Sequence, residues 1–203
     1  GMSDARKGRT ELSPMTLIVL MKTKRLTPAV AACVASASVP TPTIYPRPNW
    51  AQYDPDELWA KTAYAIREAV GQVDDPQRIV SVAVASMAET VFPIDQHGAT
   101  TSHAIAWFDG RTIGEAQWLD EQIGADRLFA ITGLSLLPIF SLCKILWYRK
   151  HAPEAYAQTV RWLNAADFIA FRLCGVAATD RSLASRMLML NLHELRWSTE
   201  LLD

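Results

Sequence analysis

Apolar and polar positions change their period along this chain, and the changes mark its elements. LIVLM at 17–21 is a short apolar run flanked by Pro14 and by Lys22, Lys24 and Arg25, the length of a buried strand. The small-residue stretch AVAACVASASV at 29–39 alternates enough for a strand and suits a helix as well. Four prolines in PTPTIYPRP then impose an extended connection, because proline lacks the N–H that a ladder or helix interior needs. In YDPDELWAKTAYAIREAV, Asp54 is placed to cap a helix, Pro55 suits its first position, and Glu57 stands three residues after the cap. Leu58, Trp59, Ala63, Ile66 and Val70 fall on one stripe of that helix.

IVSVAVAS from Ile79 reads as a buried strand, TVFPID as an extended segment closed by a turn at 95–98, and 104–107 as a third strand. From Thr112 the period is helical, with helices expected at 113–123, 142–150, 153–158 and 165–173. The expected fold is a mixed α/β domain with a small sheet and a helix-rich second half.

Composition narrows the partners. With 203 residues and 50% apolar side chains the chain has enough apolar surface for a sizeable core. Its 20 basic and 21 acidic residues nearly cancel, so no global field draws it to nucleic acid or to an anionic membrane. No apolar run reaches the ~20 residues of a membrane span. Cys33, Cys143 and Cys174 are odd in number and far apart, which reads as free thiols in a reducing compartment, the cytoplasm. His97, His103, His151 and His193 share no metal-ligand spacing, and no metal site is expected. Gly1 ahead of Met2 reads as the remnant of a cleaved tag.

Four ordered blocks carry a resemblance. IAWFDGRT contains an I-x-W-x-D-x-R segment with Trp107, Asp109 and Arg111. Upstream, PRPNWAQYDPDELW holds Asn-Trp, Asp-Pro and Leu-Trp pairs. SLCKILWYRKH supplies Lys144 and Trp147. The last block, AADFIAFRLCGVAATDRSLASRMLMLNLHELRW, contributes Asp167, Gly175, Thr179, Asp180, Ser182, Ala184, Ser185 and Trp197. In this order and spacing, over about residues 40–203, they resemble the FGGY family of carbohydrate kinases.

The resemblance implies a ribonuclease H-like fold shared with actin and the sugar kinases, built as two domains with sugar and ATP in the cleft between them. Residues 29–203 would be a partial N-terminal, sugar-side domain, residues 1–28 an atypical or disordered N-terminus, and the ATP-binding C-terminal domain would lie outside this chain. ATP and Mg²⁺ serve the full-length family, and this chain alone is expected to hold neither tightly. The partner is a small sugar or polyol.

Phosphoryl transfer needs a positioned hydroxyl, a base for its proton, and a cradle for the moving charge. The family cradle is an Asp-x-Gly-Thr type loop after the first strand. Here LIVLM is followed by KTKRLTP, which has no Asp or Gly, and Lys22 with Thr23 is the only remnant the resemblance offers. A local deletion or change of reading frame before about Val34 is expected. The family base lies in a Gly-rich segment expected beyond Asp203, so no catalytic residue is assigned and no turnover is expected of these 203 residues alone.

For the sugar, Glu89 aligns with a substrate contact that is Glu in glycerol-kinase-like members and His in xylulokinase-like ones. Met87 and Ala88 replace the Gln-Met or Gln-Arg of those relatives, and Trp107, Asp109 and Arg111 complete the candidate set. Plainer readings stand beside these. Glu89 suits a solvated strand end, Asp109 and Arg111 a structural ion pair, Trp107 the core, Lys144 a solvated helix face, and Asp180 with Ser182 a helix cap. The chain is thus expected to belong to an ATP-dependent carbohydrate kinase. The alternative is a non-catalytic fragment that binds sugar or a partner, with self-association through uncovered interface surface.

Overall fold

A computed structural model of the chain describes residues 18–23 and 33–202. Strand β1 (Ile18–Thr23) comes first, and after an extended segment the short strand β2 (Gln52–Tyr53) leads into helix α1 (Pro55–Gly71). The expected cap starts α1: Asp54 Oδ1 accepts from the amides of Asp56 at 2.9 Å and Glu57 at 3.0 Å, filling two orphan donors of the first turn. Of the small-residue stretch, residues 33–39 form neither strand nor helix, and residues 29–32 lie outside the described ones.

Strands β3 (Ile79–Ala85), β4 (Val91–Ile94) and β5 (Ala104–Ile105) follow as expected, then helices α2 (Ile113–Gln122), α3 (Ala125–Thr132), α4 (Ser141–His151) and α5 (Pro153–Gln158). Strand β6 (Arg161–Asn164) runs into helix α6 (Ala165–Cys174), followed by the short helix α7 (Arg181–Ser185), the hairpin β7 (Leu190–Asn191) and β8 (Arg196–Trp197), and helix α8 (Thr199–Leu202). Among the described residues no helix is long and apolar enough to cross a membrane.

The central sheet has the order β2-β5-β4-β6, with every neighbouring pair antiparallel. Pro93 sits inside it without loss, because β5 meets β4 only at Val91↔Ile105 and the donor that proline lacks faces no ladder partner there. Strand alternation splits the core between the two faces. Val91 and Ile105 point into a cluster with Leu119, Leu128, Phe140, Tyr148 and Leu188. Phe92, Ile94 and Ala104 point into the other, with Tyr53, Leu58, Phe168 and Ile169, where Phe92 and Phe168 stack at 4.4 Å. With helices on both faces, all four residues of β4 are buried.

Strand β3 corrects an expectation. It was predicted buried, yet none of its residues is, and Val80 and Val82 are about half exposed, 48% and 47%. It belongs to a separate two-stranded sheet with β1. Lys22 lies opposite Ser81 and Thr23 opposite Ile79, with an irregularity between the two pairs. The first strand therefore runs on through Lys22 and Thr23.

Candidate functional site

The turn from β3 to β4 carries the first candidates. Ser86 Oγ donates to the carbonyl of Met87 at 2.9 Å, Met87 packs against the cluster that holds Phe92 and Phe168, and Ala88 is buried. Glu89 then adopts φ +67°, a left-handed conformation that non-glycine residues rarely take. It is no solvated strand end, since only 7% of the residue is exposed. Its Oε1 accepts from Arg186 Nε at 2.5 Å, and the Arg186 guanidinium lies over the Phe140 ring at 5.0 Å.

Thr90 is completely buried, and its hydroxyl accepts from the Trp107 amide at 3.1 Å, tying the end of β5 to the residue after Glu89. Trp107 is half-buried with its indole edge to Phe108, and its Nε1 is buried without a hydrogen-bond partner. Met87, Ala88, Glu89 and Trp107 are thereby joined through one turn and one strand end.

Asp109 and Arg111, which follow Trp107 in the chain, form a buried clamp. Arg111 Nε donates to both carboxylate oxygens at 2.9 Å, and Nη2 reaches Oδ2 at 2.8 Å with both side chains nearly sealed from solvent. The same carboxylate accepts from the amides of Ala51 at 2.5 Å and Arg111 at 2.8 Å, while Arg111 Nη2 also reaches Gln52 Oε1 at 3.1 Å. The guanidinium lies 4.0 Å from the Trp50 ring centroid and 5.0 Å from that of Trp147. Burial of a charge pair is tolerable only with such saturation. Gly110 completes the joint: its amide donates to Asn49 at 2.8 Å, and an added Cβ would stand 3.2 Å from that carbonyl.

Lys144 differs from the solvated helix charge its sequence suggested. It is completely buried on α4, and Nζ donates to the carbonyl of Ile139. Burial pulls its pKa down to about 8, against the attraction of Cys143, Glu89 and Asp109. Burial also pushes the Cys143 thiol up to about 12. Two bonds hold this helix and its approach loop. Thr112 Oγ1 donates to Pro138 at 2.7 Å, and the Leu142 amide donates to Met187, next to Arg186, at 3.0 Å.

In the last block Asp180 caps α7, accepting from Leu183 N at 2.9 Å, whereas the Ser182 side chain makes no such bond. The Asp167 carboxylate accepts from Asn164 N at 3.3 Å and Nδ2 at 3.4 Å, and its pKa is raised chiefly by burial. Lys22 and Thr23 are strand residues, and successive N–H groups of a strand point to opposite edges, so their amides do not converge on one phosphate. Among the described residues no group of three or more His, Cys, Asp or Glu is arranged to hold a metal ion. An open depression lined by Gln96, His97, Arg161 and Phe171, at the far ends of β4 and β6, gathers none of the candidates.

The model of the FGGY carbohydrate kinase N-terminal domain matches residues 26–203. The chain belongs to the FGGY family of carbohydrate kinases. Within the family it is 30% identical to a xylulose kinase of Klebsiella pneumoniae over 157 residues, 77% of this chain and 32% of that protein. It is 35% identical to a glycerol kinase of Chloroflexus aggregans over 171 residues, 79% of this chain and 34% of that protein. The chain thus spans about a third of the length of the curated relatives it matches. The crystal structure of xylulose kinase from Rhodospirillum rubrum superposes with a TM-score of 0.83 at 24% identity, over 93% of this chain and 38% of that one. Gluconate kinase from Lactobacillus acidophilus gives 0.76 at 24% identity, over 81% and 33%. The α/β fold is therefore that of the sugar kinases, the ribonuclease H-like class the sequence suggested.

Arg186 was not among the candidates drawn from the sequence, although it lies inside the last family block. Nothing local signals it, because its partner stands 97 residues earlier.

Proposed function

We propose that this chain forms the sugar-side part of an ATP-dependent carbohydrate kinase, with Met87, Ala88, Glu89 and Trp107 facing the sugar. The observation that carries this reading is Glu89, a buried carboxylate held at positive φ with one oxygen engaged by Arg186. Its other oxygen is the acceptor for a sugar hydroxyl, and the half-buried Trp107 indole beside it offers an apolar face. Asp109 and Arg111 frame this surface rather than touch ligand, because their strong bonds are already made within the protein. Ala88 and Met87 bring no polar group to the sugar, which separates this surface from a Gln-Arg or Gln-Met pair.

ATP and Mg²⁺ are assigned to the whole kinase, and no step is routed through them here. Titration of the chain with glycerol, D-xylulose and D-gluconate by calorimetry tests the reading. Binding of one of them, lost in Glu89→Gln, is expected, and equal binding by both chains would refute it. ADP release by the full gene product in the presence of the same sugar tests the activity, and none is expected from these 203 residues alone.

A second reading, a non-catalytic unit that pairs with a partner or with itself, is favoured by the exposed valines of β3. Sedimentation that shows only monomer at high concentration would count against self-pairing.

A further inference from the structure

We infer that Arg186 is a positioning residue that holds Glu89 ready for a sugar hydroxyl, an inference that rests on the reading of Glu89 as a sugar contact. The left-handed backbone of a non-glycine residue costs about 1 kcal/mol or more, and surrounding structure must hold it there. At Glu89 the hold has two ends. The Thr90 hydroxyl anchors the backbone through Trp107, and the Arg186 Nε anchors the carboxylate through Oε1. Were the backbone to relax to the β region, the side chain would swing away from its present direction.

Arg186 is itself placed by several bonds. Its amide donates to Leu183 at 3.1 Å, closing the last turn of α7 behind the Asp180 cap. The next carbonyl, of Met187, accepts from Leu142 at the start of α4. The guanidinium rests on Phe140 with about 40% of the side chain exposed, against 9% for Glu89. This asymmetry suits a brace: the arginine stands at the solvent side and the carboxylate is pressed inward. Lys144 is a second cation near Glu89, yet its amine bonds to Ile139, and among the described residues it is Arg186 that makes a hydrogen bond to the carboxylate. A guanidinium bond through Nε fixes the direction of the carboxylate, which an ammonium does less well.

The test uses the full chain labelled with ¹³C-glutamate, comparing the unaltered chain with Arg186→Met, Arg186→Lys and Glu89→Gln. In Arg186→Met the Glu89 Cα and Cβ shifts are expected to move away from left-handed values, and sugar affinity to fall about tenfold, the order of one charge-assisted bond. Added guanidinium ion is expected to restore part of the affinity, which a merely structural role would not predict. Arg186→Lys keeps the charge and is expected to fall between, and it also guards against a methionine variant that fails to fold. Unchanged Glu89 shifts and affinity in Arg186→Met, with binding still lost in Glu89→Gln, would overturn the inference and leave the function standing. No binding by the unaltered chain, or binding indifferent to Glu89→Gln, would overturn both.

Discussion

Replacing Lys144 by methionine removes a cation that the fold buries completely while keeping most of its apolar stem. The amine has an ordinary pKa of 10.5, brought down to about 8 chiefly by burial. At about 1.4 kcal/mol per pH unit, this displacement corresponds to roughly 3 kcal/mol of stability forgone while the amine is charged. The sign follows from proton counting. Below about pH 8 folded and unfolded chains both hold the proton, and the cost is fully present. Between there and 10.5 the folded chain has released it while the unfolded chain has not, so stability rises with pH.

The methionine variant lacks this dependence, and its advantage over the unaltered chain should shrink by about 3 kcal/mol across that window. Loss of the bond to Ile139 shifts the whole comparison by about 1 kcal/mol without altering its slope. Cys143 works in the opposite direction from pH 9.0 upward, because its folded thiol keeps the proton to about 12. Both chains therefore carry Cys143→Ala, which also removes an attraction that holds the Lys144 pKa up, so the rise begins at or below about pH 8 and urea unfolding is followed at steps from about pH 6 to 10. Two stability curves that run parallel across this range would refute the claim that Lys144 is buried as a cation.

Asp109→Asn is expected to cost about 3–5 kcal/mol in a thermal or urea melt, because it leaves Arg111 charged and buried between two indoles; a loss under about 1 kcal/mol would show that the pair does not hold the wall together. Alkylation of the native chain followed by mass spectrometry should modify exposed Cys33 and Cys174 quickly and buried Cys143 only after unfolding; native-rate modification of all three would contradict the packing around α4. Gly133→Ala should lower stability by about 1–2 kcal/mol. Its φ is +70°, and an added Cβ would stand 2.9 Å from Leu192 Cδ2; an unchanged melting temperature would count against that geometry.

Local chemistry made much of the fold legible. The Asp54-Pro55 start of α1 announces itself because cap, proline and carboxylate are neighbours in sequence. The helices expected at 113–123, 142–150, 153–158 and 165–173 lie within a residue or so of those observed, since each carries its own period and stop. Helix α3 is not among the expected helices, although Gly124 and Gly133, both at positive φ, bracket it. Strand β6 carries no such signal, because RWLN is too short for an alternation and depends on β4 for its ladder.

The site was less legible because its decisive contacts are distant in sequence. Asp109 and Arg111 stand two residues apart, yet their enclosure comes from Trp50 and Trp147. A lone helical lysine says nothing of burial, and Lys144 is sealed by packing around α4 that no local pattern encodes. The exposure of β3 escaped for the converse reason: an apolar strand sequence does not say whether anything covers it.

The clamp of Asp109 and Arg111 has an optical consequence. Two of the seven tryptophans, Trp50 and Trp147, lie edge to face at 5.5 Å and share the Arg111 guanidinium. Any event that pries the wall apart must separate these chromophores from each other and from a fixed charge. Their emission and near-ultraviolet dichroism would then record the opening of that single joint. In a chain whose other five indoles are replaced by phenylalanine, they form an intrinsic gauge that needs no attached dye.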